Sequence, residues 1–280
     1  MADTNLGAKL KEGLVGIIEG TGDVVGATVD ATRKALVGAL RGASDVGRAI
    51  ADSAADLITG ALEATEEVGS GATRVLKGTV IGIVRGIGEV TTVTAGVISD
   101  TIRAAVKGTE QIGGDVTGAI STSVQGAIVA TKDIAVTLKD AAFGVARGAI
   151  RGANEVGTDL ASAAKSAIQG TLKGTKEIGG DLTEAASSTA RGLVKGTSEV
   201  GGDVAGVAKA AVVGAIQAAK EIGADVGKTA SAAATGALEA AGDIGESAVE
   251  AVTDVVTGTI EGVKVVAKAP FKKDDGDSAT

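Results

Sequence analysis

A 22-residue repeat runs from near the start of this chain to residue 267 without one insertion or deletion, and it limits the possible folds more than any other feature. Three copies show it plainly: GTEQIGGDVTGAISTSVQGAIV from Gly108, GTKEIGGDLTEAASSTARGLVK from Gly174 and GTSEVGGDVAGVAKAAVVGAIQ from Gly196. With Gly20 as repeat position 1, position 5 is Val or Ile in every copy and position 21 is Ile, Leu or Val. Position 19 is Gly in all copies but one, at Ala104. Position 4 is acidic in ten of its eleven full copies, Gln111 being the exception. Six helical turns at about 3.67 residues each take up this period, close to the ordinary α-helical value. Strict alternation with period 2 is absent, which argues against a β-solenoid.

Wound on such a helix, positions 5, 9, 13, 16, 17, 20 and 21 share one face rich in Ala, Val, Ile and Leu. The candidate lipid-facing or packing residues at position 5 are Val24, Val46, Val68, Val90, Ile112, Ile134, Val156, Ile178, Val200, Ile222 and Ile244. At position 21 they are Leu40, Leu62, Ile128, Ile150, Leu172, Ile216 and Leu238. Most Asp, Glu, Lys and Arg fall on the opposite side. An apolar arc of about half the circumference is wider than a coiled-coil seam.

The glycines recur at fixed places. Positions 19 and 1 form Gly-xxx-Gly pairs at one border of the apolar arc: Gly38/Gly42, Gly82/Gly86, Gly148/Gly152, Gly170/Gly174, Gly192/Gly196 and Gly258/Gly262. A strip of small residues lets a neighbouring backbone come close, so these are candidate helix–helix contacts.

Two all-α architectures fit the pattern. An indel in one long helix would rotate everything beyond it, whereas loops tolerate length changes. The perfect register therefore favours a largely continuous amphipathic helix of about twelve repeats, with a reach of some 400 Å. The alternative is a stack of short antiparallel helices with tight Gly turns, in which Gly-Thr-x-Glu at positions 1–4 serves as C-cap and N-cap. The repeat region spans 1–267, and the charged end 268–280, after Pro270, reads as a disordered tail.

Composition excludes several chemistries. The chain has no Cys, His, Trp or Tyr, and only Phe143 and Phe271 are aromatic. Thiol and imidazole catalysis are thereby absent. The net charge of −8, with no basic stripe, disfavours nucleic acid. Gly20/Gly22/Gly26 lack the preceding strand of a dinucleotide fingerprint, and Gly227-Lys228-Thr229 lacks the first glycine of a P-loop. Carboxylate pairs such as Glu177/Asp181 and Glu199/Asp203 supply too few oxygens for a hard-cation site and read as a solvated face. Phe143, at position 14, sits off the centre of the apolar face and has no role in the repeat. No catalytic residue, cofactor, metal or small-molecule substrate is expected. Residues 1–16 lack a signal-peptide core, and Val116–Thr131 is too short and polar to span a bilayer, so a cytoplasmic protein, peripheral on a lipid surface, is expected.

An unbroken 11/22-residue amphipathic pattern over nearly the whole chain resembles exchangeable apolipoproteins, perilipin-type droplet coats, synucleins and group 3 late-embryogenesis-abundant proteins. The chain lacks the proline punctuation and aromatics of the first, and is less charged and more glycine-rich than the last. The resemblance implies a non-enzymatic coat or scaffold on a membrane, droplet or lipid core. Many weak repeats would act together, with helices side by side through the Gly-xxx-Gly flanks. A lipid-free filament, tube or ring of identical chains is the alternative, and a desiccation protectant the next. Glycine costs a helix interior about 0.8–1 kcal/mol against Ala, so helicity is expected to depend on contact with a partner surface.

Overall fold

The computed structural model describes residues 6–268, apart from 21–22, 42, 44–45 and 69–70; Val46, Gly47 and Arg48 are described in backbone only. Over the described residues it is 83% helical, but the single long helix is not formed. Among the described residues there are twelve helices. They are α1 (Leu6–Gly20), α2 (Val24–Arg41), α3 (Val46–Val68), α4 (Ala72–Val90), α5 (Ala95–Gln111), α6 (Val116–Ala130), α7 (Leu138–Glu155), α8 (Leu160–Ile178), α9 (Leu182–Glu199), α10 (Val204–Ile222), α11 (Val226–Ile244) and α12 (Glu246–Val256). The stack of short helices is the architecture observed.

The turns explain why the chain breaks. In the regular copies the break is a Gly-Gly-Asp at positions 6–8, beyond the Gly-Thr-x-Glu where sequence placed it. After α8, Gly179 takes φ +72, the left-handed conformation that costs an L-residue about 1–2 kcal/mol. Its N–H donates to Lys176 O and that of Gly180 to Thr175 O, the paired bonds of a Schellman cap. Asp181 then caps α9 by accepting from Thr183 N (2.8 Å) and Glu184 N (3.2 Å). The second glycine is required for space: a Cβ on Gly202, after α9, would stand 2.6 Å from Leu160 and 3.0 Å from Thr197. The first two junctions are different. There α1 ends at Gly20 and Asp23 caps α2, and α2 ends at Arg41 with α3 opening at Val46, so each break falls beside position 1. α3, at 23 residues, absorbs the shift between the two phases.

Each helix from α1 to α11 packs most extensively on a helix two places away in sequence, and α12 packs equally on α10 and α11. Gly144, Gly148 and Gly152 of α7 meet Ala95, Ser99 and Val106 of α5 in ascending order, so these helices are parallel. Gly180 and Gly202 instead bring the ends of α8 and α9 beside Leu138 and Leu160 at the starts of α7 and α8, so consecutive helices are antiparallel. Odd-numbered helices thus form one layer and even-numbered helices the other. The aliphatic arc is buried within this stack: on α8, Ala163, Ala164, Ala167, Ile168 and Leu172 are all 0% exposed. Most buried threonines satisfy their hydroxyls within their own helix, as Thr171 does on Ala167 O (3.0 Å) and Thr197 on Leu193 O (2.8 Å), while those of Thr32 and Thr175 have no partner among the described residues.

The helical repeat ends earlier than its sequence frame. After Val256 the chain forms an antiparallel hairpin, β1 (Gly258–Ile260) and β2 (Val263–Val265). Its two turn residues, Glu261 (φ 47) and Gly262 (φ 78), both have positive φ, as a twisted two-residue turn requires. The hairpin lies on α11, where Val266 N donates to Ser231 Oγ (3.1 Å) and Lys268 N to Thr235 Oγ1 (3.2 Å). It occupies the place of the next odd helix and closes that end of the layer. The tail expected at 268–280 falls, but for Lys268, outside the described residues.

Two alanine substitutions separate buried from open glycines. A Cβ on Gly192 would meet Phe143 O at 2.6 Å and Ala146 Cβ at 2.8 Å, whereas nothing lies within 4 Å of one on Gly38. Urea unfolding should show Gly192→Ala destabilised by about 1–3 kcal/mol and Gly38→Ala stabilised by about 0.5–1 kcal/mol. Equal effects at the two sites would remove the role assigned to the glycine strip.

Candidate functional site

The outer faces of the two layers are where any functional chemistry must be sought, because the repeat's aliphatic residues are turned inward. Leu40, Leu62, Ile128, Ile150, Leu172, Ile216 and Leu238, all at position 21, are buried to within 3% exposure. Val24 is buried too, while Val68, Val90, Ile112, Ile134, Val156, Ile178, Val200 and Ile222 are half-buried at helix ends. The side chain of Val46 lies outside the described residues. Among those described, only Ile244 and Val266 are large hydrophobics left exposed.

The glycine strip divides into three groups. Gly82, Gly86, Gly148, Gly152, Gly170, Gly174, Gly192 and Gly196 each seat the helix two places back, within the same chain. Gly38 faces open space, and Gly42 lies outside the described residues. Gly258 and Gly262 belong to the hairpin, with φ of 94 and 78, and contribute to no helix strip. Helix-to-helix contact through Gly-xxx-Gly is therefore a property of parallel neighbours in one layer.

The charged residues of the repeat bind the same neighbours together. Along the odd layer, Arg103 (3.3 Å) and Lys107 (3.2 Å) of α5 reach Glu155 of α7. Arg147 (2.7 Å) and Arg151 (2.9 Å) of α7 reach Glu199 of α9, and Arg191 of α9 reaches Asp243 of α11 (3.0 Å). In the even layer Lys173 of α8 holds Glu221 of α10 (2.8 Å), while Glu177 takes Lys77 (2.8 Å) from α4 and Gln125 (2.9 Å) from α6. The acid at position 4 thus receives a base from an earlier helix of its layer. Such half-exposed pairs contribute at most about 1 kcal/mol each, and their regular placement fixes register.

This accounts for the carboxylate pairs noticed in the sequence. Glu177 and Glu199 are ion-pair acceptors, and Asp181 and Asp203 are helix caps. No group of three or more potential metal ligands occurs among the described residues. The Gly227-Lys228-Thr229 segment opens α11, with Lys228 N bonded to Asp225 Oδ1 at 2.9 Å and Thr229 buried. Gly20 and Gly26 flank the first turn, and Gly22 lies outside the described residues. The caps are what sequence reasoning missed, although Gly-Gly-Asp recurs visibly at 113–115, 179–181 and 201–203.

Cap bonds also set the acid behaviour. The Asp115 carboxyl is held below its usual range by the Gly118 N–H and the Thr117 hydroxyl, and that of Asp181 by the Thr183 hydroxyl and the Glu184 N–H. At Glu199, burial pushes upward, but Arg147 and Arg151 outweigh it and the net shift is downward. Folded values below the unfolded ones add stability that is complete above the ordinary carboxylate range and is lost as pH falls through the folded values. No described helix is long and apolar enough to cross a membrane.

Asp181→Ala tests the cap. It should cost about 1 kcal/mol near neutral pH, and the gap between variant and parent should narrow below about pH 4. Urea unfolding of both proteins across that range measures it; a gap independent of pH would contradict the capping role. Compared with known proteins, the chain matches no family model and no curated protein sequence.

Proposed function

We propose that the chain is a non-enzymatic structural protein, a two-layer helical scaffold that associates with further copies of itself through its N-terminal end. One observation carries this reading. The glycine strip that seats a parallel neighbour throughout α4 and α6–α11 has no occupant at the start of the stack among the described residues. Nothing lies within 4 Å of a Cβ on Gly13, Gly16 or Gly20 of α1, or on Gly38 of α2. Val15, Ile17 and Ile18 of α1 are only half-buried beside that strip. The other end is covered on α11 by the hairpin. Such asymmetry favours a limited assembly joined at the open ends over an indefinite filament.

A lipid surface is the second reading. It rests on the make-up of the inner faces of α7, α8, α9 and α11, which are mostly Ala with one or two larger aliphatics per helix and so cohere weakly for their area. Parting the layers about the Gly-Gly turns would present the broad aliphatic arc to lipid without melting a helix.

Sedimentation velocity on the full chain tests both. Association that rises with concentration and is lost in a Gly16→Leu, Gly38→Leu double variant of unchanged helicity is the expected result. A parent that stays monomeric at all concentrations contradicts self-assembly. Runs with mixed neutral and anionic vesicles decide the lipid reading, which fails if the protein never migrates with them.

A further inference from the structure

The repeat shows what each position ordinarily holds, so departures from it stand out, and two of them meet at one cavity. Position 14 carries Arg33, Ala55, Lys77, Ser99, Ser121, Lys165, Ser187, Lys209, Ser231 or Thr253, but in α7 it carries the aromatic Phe143. The Phe143 ring is half-buried, with the Arg147 guanidinium 5.7 Å from its centroid. The second is a base at position 22 without its acid, although Asp itself is ordinary at position 4, as at Asp23, Asp45 and Asp133. Glu155 and Glu199 each accept two bases from the previous odd helix, whereas Asp243, one methylene shorter, accepts only Arg191. Lys195, the counterpart of Lys107 and Arg151, is left without an ion-pair partner among the described residues. Lys139, one turn before Phe143, likewise has none.

Phe143, Lys139, Lys195 and Arg191 line a cavity of about 250 Å³ on the outer face of α7 and α9, with Asp140, Ser188 and Asp243 completing it. Asp140 is engaged by the Thr137 hydroxyl at 2.7 Å and Asp243 by Arg191. The lining therefore offers two uncommitted ammonium groups beside an aromatic ring. The volume lies just under the roughly 300 Å³ at which drug-sized pockets begin. We infer that this cavity binds a small single-ring aromatic carboxylate, its ring against Phe143 and its carboxylate between Lys195 and Lys139. The ligand fills the charge position that the shortened acid at Asp243 leaves open.

Reverting each departure provides the test. Phe143→Ser restores a residue that the fold accepts at Ser99, Ser121 and Ser187, and Asp243→Glu supplies the longer acid of Glu155 and Glu199, which reclaims Lys195. Titration calorimetry of the full chain with benzoate should show saturable binding, weaker for cyclohexanecarboxylate and absent for benzyl alcohol. Each reversion should weaken benzoate by about tenfold with helicity unchanged. No saturable benzoate binding, or parental affinity in either reverted protein, overturns the assignment. Should Phe143→Ser lose helicity, Lys195→Gln at the rim decides in its place, and parental affinity there also overturns it.

Discussion

Two parallel helices of one layer approach so closely that side chains on one side of the contact are excluded, and the rest of the stack depends on that approach. A Cβ on Gly144 of α7 would stand 2.5 Å from Ala95 O of α5, and one on Gly126 of α6 would stand 2.9 Å from Lys77 O of α4. At this spacing there is room for backbone against backbone and little else. The glycines cost intrinsic helicity, about 0.8–1 kcal/mol each, and the contact they permit lets alanines and short branched residues exclude water across a thin interior. A chain with two aromatics in 280 residues achieves burial by close approach instead of bulk.

That contact also fixes length. Position 19 of one helix meets position 14 of the helix two places back, as Gly170 meets Ser121 and Gly192 meets Phe143. One residue added between them would turn the glycine away and drive a side chain into the neighbour. The ion pairs repeat the requirement at the surface, since Glu155, Glu199 and Asp243 must arrive opposite bases set by the same spacing. Uninterrupted register is therefore as much a demand of this stack as of a continuous helix, because its turns are too short and too tightly capped to absorb an insertion.

For this reason the sequence revealed the period, the all-α class, the aliphatic arc and the contact value of Gly-xxx-Gly, but left the place of each break open. A glycine within a helix and a glycine ending one look alike in a sequence. Gly174 is kept helical by Gln125 and Ile128 packed against it, while Gly179, five residues on, takes φ +72. Only the neighbouring helix distinguishes them. The sequence did contain a local cue, since an aspartate directly after paired glycines is the order of a C-cap followed by an N-cap. Gly258 and Gly262 keep the repeat's spacing with no helix beyond them to pack, and there the chain turns into a hairpin. Of the candidate site, Phe143 was visible as a departure in the sequence, but the unpaired Lys195 and its meeting with that ring depend on the stacking of α7, α9 and α11.

The central claim is that the chain supplies its own partner surface, so that helices too glycine-rich to persist alone are held by one another. Far-UV circular dichroism in dilute, lipid-free buffer tests this most directly. High helicity, matching the 83% of the described residues, lost in one cooperative urea transition and unchanged by added vesicles, is the predicted result. Low helicity that rises only as lipid is titrated in would contradict it, and would mean that the aliphatic face folds against a foreign surface and not against itself.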